Sequence, residues 1–268
     1  RGLRLRIGTR CSVRRPIMHI CAYWSARNTG GSPVVEDVTD EAAADVVIVG
    51  AGMGGLFAAY TLINEHPQLK VQIIDRGKKL AKRFCPVTDK IPCQKCNPCA
   101  IMSGEIGAGG FSDFKTILSP AYGGWLQDYL GYNQTQELIT EFDQILVRFG
   151  DTTEIKYPDA ELQLRCIQNN LRMLSSPLKH IGTDKGKIVM QNMLNWLAER
   201  VETKTETIVS DIIQNEDRTF TVQTNKGDIR TKKVIIAVGR IGNEFVETFC
   251  NNHGMEVFSN QVDLGVRV

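Results

Sequence analysis

The clearest hydrophobic pattern in the chain is a run of four apolar residues, Val46 to Val49, which leads directly into a glycine-rich turn. After the turn, apolar positions recur at helical spacing from Leu56 until His66-Pro67 interrupts them. A second apolar run begins at Val71 and ends in Asp75. The pattern therefore predicts a strand, a helix and a second strand, which together form a βαβ unit.

The turn between the first strand and the helix contains glycines at the spacing G-x-G-x-x-G, at Gly50, Gly52 and Gly55. The first glycine allows a tight turn, the second lets a pyrophosphate approach the backbone, and the third lets the helix pack close to the strand. Asp75 ends the second strand, where an acidic residue accepts hydrogen bonds from ribose hydroxyls. We count Gly54 and Arg76 with this predicted nucleotide site; the alternative is a glycine-rich turn with a surface aspartate.

The rest of the chain shows helical patterns first and strand patterns later. Helices are predicted over 134–150, over 159–174 and after Thr183 or Asp184, which can cap the third helix. Strand patterns cover 208–213, 219–224, 228–231 and 233–239, with a turn at Asn225-Lys226-Gly227. Between these parts, a glycine-rich loop from Gly104 to Gly110 precedes apolar residues that we expect to anchor it in a core: Phe111, Ile117, Trp125, Leu126 and Leu130.

These elements predict an α/β fold: a Rossmann-like dinucleotide-binding domain with a central parallel sheet, helices and a β-hairpin or meander, and a helical, loop-rich insertion. The expected organisation is a basic leader and linker over 1–44, the first part of the domain with a cysteine-rich loop over 45–100, and the insertion over 101–184. The second part of the domain follows over 185–245, and a truncated substrate domain begins over 246–268.

Composition changes this picture only at the start of the chain. The 268 residues are 42% hydrophobic and 23% charged with a net charge of +2, which gives no electrostatic case for nucleic acid. No apolar run is long enough to predict a transmembrane segment. Residues 1–35 contain arginines but no acidic residue, which resembles an organelle transit peptide; a disordered tail and translated upstream sequence are alternatives. The predicted location is therefore the cytoplasm, or a mitochondrion or plastid. Because the chain begins with Arg1 and stops in a strand-like run, we expect a fragment.

Four cysteines lie close together in the sequence CPVTDKIPCQKCNPC: Cys85, Cys93, Cys96 and Cys99. The C-x2-C-x2-C spacing can bring thiolates to one zinc ion or iron–sulfur cluster, with Cys85 as a fourth ligand. The alternatives are a C-x-x-C pair that exchanges with a redox cofactor, and a set of reduced thiols in a proline-punctuated loop. The eight cysteines without a secretory signal favour a reducing compartment.

One histidine, His180, breaks the helical pattern in the sequence KHIGTD. It is a candidate proton donor near a bound ligand. A hydrogen-bonded loop histidine with no role in catalysis is an equally reasonable interpretation.

These motifs carry a family resemblance. The glycine fingerprint, the hairpin and KVIIAVGR resemble the glutathione-reductase-type flavoproteins that bind two dinucleotides. Four other segments resemble a family of FAD-dependent dehydrogenases, the NAD(P)/FAD-dependent oxidoreductases: RFCPVTDKIPCQKCNPCAIMSGEIGAGGFSDFK, LSPAYGGWLQDYLG, KHIGTD and VDLGVRV. The resemblance covers residues 45–268. Phe114 departs from it, because the family usually has glycine there, and the family's late Gly-Asp segment is missing.

The resemblance implies FAD, with its adenosine on the fingerprint glycines and Asp75. It aligns Val209 with a backbone contact to adenine, and Ala237 and Gly239 with a strand end near the pyrophosphate. The loop from Gly107 to Ser112, including Gly109, would lie toward the flavin. NAD(P)H is the implied electron donor, and a small-molecule substrate or an electron carrier is the implied partner.

Two other function classes fit parts of the sequence. Proteins of this fold also act without flavin as escort proteins, as the Rab GDP-dissociation inhibitors do, but those degrade the phosphate-binding glycines that this chain keeps. A metal-containing electron carrier built on Cys85, Cys93, Cys96 and Cys99 is the other alternative. We expect an FAD-dependent dehydrogenase whose N-terminal fragment alone is inactive.

Overall fold

The computed structural model describes residues 22–23, 44–87, 90–122, 124–173 and 175–258. The basic leader, apart from Ala22–Tyr23, and the strand-like run that ends the chain lie outside these ranges. The elements in chain order are β1 Ala22–Tyr23, β2 Ala44–Val49, α1 Met53–Glu65, β3 Val71–Ile74, β4 Lys115–Ile117, α2 Leu126–Leu130, α3 Tyr132–Arg148, α4 Ala160–Gln168, β5 Leu178–His180, α5 Thr183–Ala198, β6 Glu202–Lys204, β7 Val209–Gln214, β8 Phe220–Thr224, β9 Ile229–Ile236 and α6 Asn243–Asn252.

The described residues form two units. Among the described residues, the first unit comprises those within 22–23, 44–108 and 194–258, and the second comprises those within 109–193.

The first unit is built on one sheet with the strand order β6-β3-β2-β9-β8-β7. Strands β6, β3, β2 and β9 are parallel, whereas β7, β8 and β9 form an antiparallel meander and β1 pairs antiparallel with β9. In the registers, Val46 pairs with Val71 on one side and with Lys233 on the other. A parallel sheet with a βαβ start and an added meander is the Rossmann-like α/β fold that the sequence predicts, and the fold-class prediction is confirmed.

The core of the first unit lies on both faces of the parallel strands, because β2 and β3 are covered on each side. Every residue of β3 is buried, and so is every residue of β2 except Asp45. Helix α1 buries the face that its sequence spacing predicts, which consists of Gly55, Leu56, Ala59, Tyr60 and Ile63. The βαβ unit thereby fixes where the glycine turn lies relative to the sheet.

Two details of the first unit differ from the sequence expectations. Residues 228–231 and 233–239 were predicted as separate strands, but Ile229–Ile236 is one continuous strand. Its first residues pair with β8 and the remainder pairs with β2, so a single strand joins the meander to the parallel core. Strand β6, Glu202–Lys204, was not predicted, because its sequence ETK has no apolar pattern and its order comes from parallel pairing with β3.

The second unit contains helices α2, α3, α4, most of α5, and a short antiparallel pair in which Lys115 lies opposite His180. Its buried residues come mainly from α3, α5 and the loops beside them: Phe114, Ile145, Leu146, Phe149, Ile181, Val189, Met190 and Met193. The prediction that Ile117, Leu126 and Leu130 anchor a core is wrong, because these side chains are 45%, 46% and 37% exposed. Strand β4 and helix α2 are too short to bury a full face.

A buried ion cluster lies in the second unit. The Lys179 ammonium is within 2.7 Å of the Asp143 carboxylate and 3.3 Å of the Asp151 carboxylate. Burial opposes the charge of Lys179, but hydrogen bonds to the two aspartates outweigh it and raise the pKa of Lys179. Burial likewise opposes the charge of Asp151, but hydrogen bonds from Thr153 and Lys179 hold its pKa below the ordinary value.

Candidate dinucleotide-binding site

The glycine turn lies where β2 and β9 end side by side. Gly50 has φ +112°, and a Cβ atom there would lie 2.3 Å from the Ala237 carbonyl oxygen. A Cβ atom on Gly55 would lie only 1.8 Å from the Gly50 carbonyl oxygen. The backbone amide of Gly50 also donates to the Ile74 carbonyl at 2.7 Å. Only glycine fits at these two positions, because backbone occupies the space that a side chain would need.

Helix α1 begins at this turn with its N-terminus open to a ligand. Gly52 is the N-cap, and among the described residues α1 has neither a side-chain cap nor an acidic residue in its first turn. Gly54 is exposed in that first turn. Uncapped N–H groups and the helix dipole favour an anion at such an end. The turn also lies at the point where the sheet extends from β2 to β3 on one side and to β9 on the other, which is where ligands of open α/β sheets bind.

Asp75 ties the glycine turn to the end of β3. Its side chain is buried, with 8% exposure. The Ala51 amide donates to Asp75 Oδ2 at 2.8 Å, and the Gly77 amide donates to Asp75 Oδ1 at 2.7 Å. Because a carboxylate offers about four acceptor sites, these two bonds leave capacity for ribose hydroxyls. Asp75 therefore both shapes the turn and retains acceptors beside it.

The segment that precedes β7 runs along Asp75 through backbone hydrogen bonds. The Asp75 amide donates to the Lys204 carbonyl at 2.9 Å, and the Thr207 amide donates to the Asp75 carbonyl at 2.9 Å. The Glu206 amide donates to the Gly77 carbonyl at 2.7 Å. Val209, the predicted adenine contact, starts β7 two residues after Thr207 and is half-buried. The structure thus brings the neighbourhood of Val209 to the acidic residue that ends β3.

The end of β9 forms the other side of the turn. The Ala237 amide donates to the Val49 carbonyl at 2.8 Å, which carries the β2–β9 pairing one residue beyond β9. Gly239 has φ +61°, and a Cβ atom there would meet no described atom within 4 Å. Ala237 therefore contacts the turn at Gly50 directly, whereas Gly239 lies in open space two residues further along.

The glycine-rich loop before Ala108 lies against the same turn. The Ile106 amide donates to the Ala51 carbonyl at 2.8 Å. A Cβ atom on Gly107 would lie 3.0 Å from the Gly52 Cα atom. The backbones of Gly52 and Gly107 therefore pass each other with no side chain between them, and this loop forms one wall of the candidate site.

Arg83 holds this loop in place, and sequence reasoning missed it. Its guanidinium is buried and donates from Nε to the Ala100 carbonyl at 2.9 Å, from Nη2 to the Ile101 carbonyl at 2.8 Å and from Nη1 to the Gly107 carbonyl at 2.9 Å. Nη1 also donates to the Glu105 carbonyl. Burial lowers the pKa of Arg83 to about 10, so it stays charged at neutral pH. Carbonyl acceptors carry no side-chain signature, and the sequence offers no signal for this role.

Glu105 is a second buried charge in the same wall. Its Oε2 accepts a hydrogen bond from the Leu80 amide at 2.7 Å. Burial raises the pKa of Glu105 above the ordinary carboxyl value, and the hydrogen bond from Leu80 compensates only in part.

Arg76, which follows Asp75, connects the site to the cysteine-rich loop. Its Nη2 donates to Asn97 Oδ1 at 2.9 Å. Its Nε is buried and has no hydrogen-bond partner among the described residues. A buried donor without an acceptor is costly, which makes this nitrogen available to an oxygen of a bound ligand.

The cysteines of this loop are free thiols: Cys93 and Cys96 are exposed, and Cys85 and Cys99 are half-buried. Within the described ranges, the structure contains no group of three or more histidine, cysteine or acidic side chains placed to hold a metal ion. The zinc or iron–sulfur site at these four cysteines stays a prediction from their spacing.

Gly109 and His180 belong to the second unit. Gly109 is exposed and begins a single 3-10 turn that ends at Phe111. His180 Nε2 lies 2.9 Å from Asp113 Oδ1, and Lys115 Nζ lies 2.9 Å from Asp113 Oδ2. The hydrogen bond with His180, and then that with Lys115, lowers the pKa of Asp113. His180 therefore has a carboxylate partner on a solvent-accessible edge, and its role as a proton donor stays a prediction.

Comparisons with known proteins match the fingerprint region most specifically. The Thi4 family matches residues 32–81, which include β2, α1 and β3. Thiamine thiazole synthase of Coprinopsis cinerea is 53% identical over 38 residues, which is 14% of this chain and 12% of that protein. The similarity is therefore confined to one segment of a longer relative.

Solved structures of two oxidases and a deaminase match over more of the chain but at low similarity. Glycine oxidase from Geobacillus kaustophilus is 13% identical with a TM-score of 0.41, over 72% of this chain and 55% of that one. L-Amino acid deaminase from Proteus myxofaciens is 16% identical with a TM-score of 0.40, over 88% of this chain and 52% of that one. A mutant of NikD, an amino acid oxidase essential for nikkomycin biosynthesis, is 13% identical with a TM-score of 0.40, over 76% of this chain and 53% of that one. The chain spans about half the length of these proteins.

In the part of the chain that the structure describes, no helix combines the length and the hydropathy needed to span a bilayer.

Proposed function

We propose that this chain binds FAD and is the nucleotide-binding part of an FAD-dependent oxidoreductase. The observation that carries the proposal is the uncapped N-terminus of α1 on a glycine turn in which Gly50 and Gly55 admit no side chain. The partial positive charge of that helix end suits a pyrophosphate, and the acceptors of Asp75 beside it suit a ribose.

The residues around the turn fit the adenosine half of FAD. Gly52 and Gly54 would receive the pyrophosphate, and Asp75 would accept hydrogen bonds from the ribose. Arg76 Nε, which has no partner among the described residues, would donate to a ligand oxygen. Val209 would lie toward the adenine, and the open backbone at Ala237 and Gly239 would pass near the pyrophosphate. Gly109 keeps its proposed place toward the flavin on the strength of the family resemblance.

The bound flavin would supply the hydride chemistry, and the protein would supply binding and orientation. NAD(P)H is the proposed electron donor, and a small molecule or an electron carrier is the proposed partner. The similarity to thiamine thiazole synthase covers the nucleotide-binding segment and favours no particular substrate. The proposed location is the cytoplasm, or an organelle reached through the basic leader.

The direct test is reconstitution. The full chain is incubated with FAD, freed of excess cofactor and examined for flavin absorbance near 450 nm, roughly where bound oxidised flavins absorb. Titration of FAD should give saturable binding that Asp75→Ala weakens, and Asp128→Ala, an exposed aspartate of the second unit, should leave binding unchanged. A folded protein that neither retains flavin nor binds FAD would exclude the proposal and favour the escort alternative.

A further inference from the structure

Cys96 and Cys99 flank a bend of the backbone at Asn97 and Pro98. Both are free thiols; Cys96 is exposed and Cys99 is half-buried. A bend between two residues three apart shortens the distance between their Cα atoms toward the roughly 4.4–6.8 Å that a disulfide requires. The described structure holds these cysteines in no group placed to bind a metal. The pair is therefore suited to oxidation within the loop.

The same bend is attached to the candidate nucleotide site at two points. Asn97, which lies between the two cysteines, accepts the hydrogen bond from Arg76 Nη2. Immediately after Cys99, the carbonyls of Ala100 and Ile101 accept hydrogen bonds from Arg83. The guanidinium of Arg83 also interacts electrostatically with Cys99. A rearrangement of the bend thus acts on the arginine beside Asp75 and on the arginine that holds the Gly107 wall.

We infer that Cys96 and Cys99 form a thiol–disulfide exchange site whose oxidation weakens nucleotide binding at the glycine turn. The inference rests on the proposed function, because the ligand whose affinity changes is FAD. The oxidant of the two thiols is a low-molecular-weight disulfide of the glutathione type. Nothing in the step requires electron transfer to the flavin, which separates it from a redox pair that takes part in turnover.

The chemistry balances in two exchange steps. The exposed Cys96 thiolate attacks the small disulfide, forms a mixed disulfide and releases one small thiolate. The Cys99 thiolate then attacks the Cys96 sulfur, closes the Cys96–Cys99 disulfide and releases the second small thiolate. Two protein thiols are oxidised and one disulfide is reduced to two thiols, which take up the protons.

Closing the disulfide draws together the two residues on either side of Asn97. The Asn97 side chain then moves relative to Arg76, and the hydrogen bond between them is lost. The carbonyls that follow Cys99 shift relative to Arg83, so the loop that ends at Gly107 is held less firmly against Gly52. A less ordered loop lowers the affinity for FAD, because the ligand must then order the loop when it binds.

The experiment compares FAD affinity of the reduced and the oxidised full chain. The protein is purified with a non-thiol reductant, and its metal content is determined. Portions are equilibrated with reduced or oxidised glutathione, peptide mapping by mass spectrometry locates disulfides, and the FAD Kd is measured by calorimetry. We expect a Cys96–Cys99 disulfide and a Kd higher by about ten-fold, which is a typical coupling between two sites, with full reversal by reductant.

Variants assign the effect to the bend. Cys96→Ser should abolish the response to oxidised glutathione, whereas Cys166→Ser, which removes a free thiol of α4, should keep it. Asn97→Ala should still form the disulfide, and its reduced form should already bind FAD more weakly than the wild type does.

Three results would overturn the inference: an unchanged or lower Kd after oxidation, a disulfide that joins other cysteines, or stoichiometric zinc or iron on the thiols. Failure of the reduced protein to bind FAD would instead overturn the proposed function. The peptide map tests the exchange site even in that case, which keeps the two failures distinguishable.

Discussion

In the first unit the backbones of Gly50 and Gly55 meet with no side chain between them, whereas in the second unit the buried Lys179 ammonium lies between the buried Asp151 carboxylate and the half-buried Asp143 carboxylate. The glycine turn depends on the absence of side chains, because a Cβ atom added at Gly50 or at Gly55 would collide with a backbone carbonyl oxygen. The ion cluster depends on charges that are present and balanced. The first arrangement should therefore fail when one methyl group is added, and the second when one charge is removed.

The largest expected effect belongs to Gly55→Ala. Its Cβ would lie 1.8 Å from a backbone oxygen, which no side-chain rotation relieves. We expect a loss of more than about 4 kcal/mol or complete failure to fold, measured by urea unfolding. The control is Gly54→Ala, which changes the adjacent, exposed position and should alter stability by no more than about 1 kcal/mol. Wild-type stability of Gly55→Ala would contradict the steric account of the first unit.

The matching change in the second unit is Lys179→Met. It leaves Asp143 and Asp151 close together without their buried cation, which should cost about 3–5 kcal/mol in urea unfolding. Lys185→Met, at an exposed lysine of the same unit, should cost no more than about 0.5 kcal/mol. Equal effects of the two variants would show that the cluster does not stabilise the second unit.

Arg83→Lys sharpens the comparison, because Arg83 is a charge inside the first unit. Lysine keeps the charge but lacks the planar fork, so it cannot reach carbonyls on both sides of the loop. We expect a loss of about 2 kcal/mol in unfolding, since hydrogen bonds to charged groups are worth about that much. Arg218→Lys, at an exposed arginine of the first unit, should be nearly neutral. If Arg83→Lys also left the free energy of unfolding unchanged, a positive charge without the planar guanidinium would be sufficient to hold the loop.

The smallest expected effect is on pH dependence, and it has opposite signs in the two units. Because burial raises the pKa of Glu105, the stability associated with that group is lost as pH rises through its folded-state pKa. Glu105→Gln should therefore raise Tm at pH 7 by no more than about 4 °C, and its advantage should shrink on acidification toward pH 5, roughly.

Asp151 behaves in the opposite way. Its pKa is held below the ordinary value, so the stability it contributes is present above about pH 4 and is lost as pH falls through its folded-state pKa. Thermal unfolding between about pH 5 and 2.5 should show a smaller acid-induced drop in Tm for Asp151→Asn than for the wild type. Parallel curves for the two proteins would contradict this assignment.

Much of the first unit could be predicted from sequence, because its signals are local. The apolar runs, the spacing of Gly50, Gly52 and Gly55, and the terminal Asp75 each specify structure within a few residues. Helices α3 and α5 were likewise visible from their periodicity, with boundaries shifted by about two residues, the ordinary uncertainty of helix ends.

What could not be predicted depends on distant backbone. The carbonyls that Arg83 binds carry no side-chain pattern, and the hydrogen bond from the Ala51 amide to Asp75 appears only once β2 and β3 are adjacent. The exposure of Ile117, Leu126 and Leu130 also depended on what packs against them, which apolar character alone does not specify.

Strand β2 has neighbours that emerge at very different times during synthesis. On one side Val46 pairs with Val71, but on the other it pairs with Lys233, about 190 residues later, which takes the ribosome roughly 10–40 s to produce. During that interval the apolar strand VVIV has one unpaired edge, which is a template for association with other chains. We therefore expect nascent chains that end before β9 to aggregate or to be held by chaperones, and solubility to appear abruptly once β9 is included.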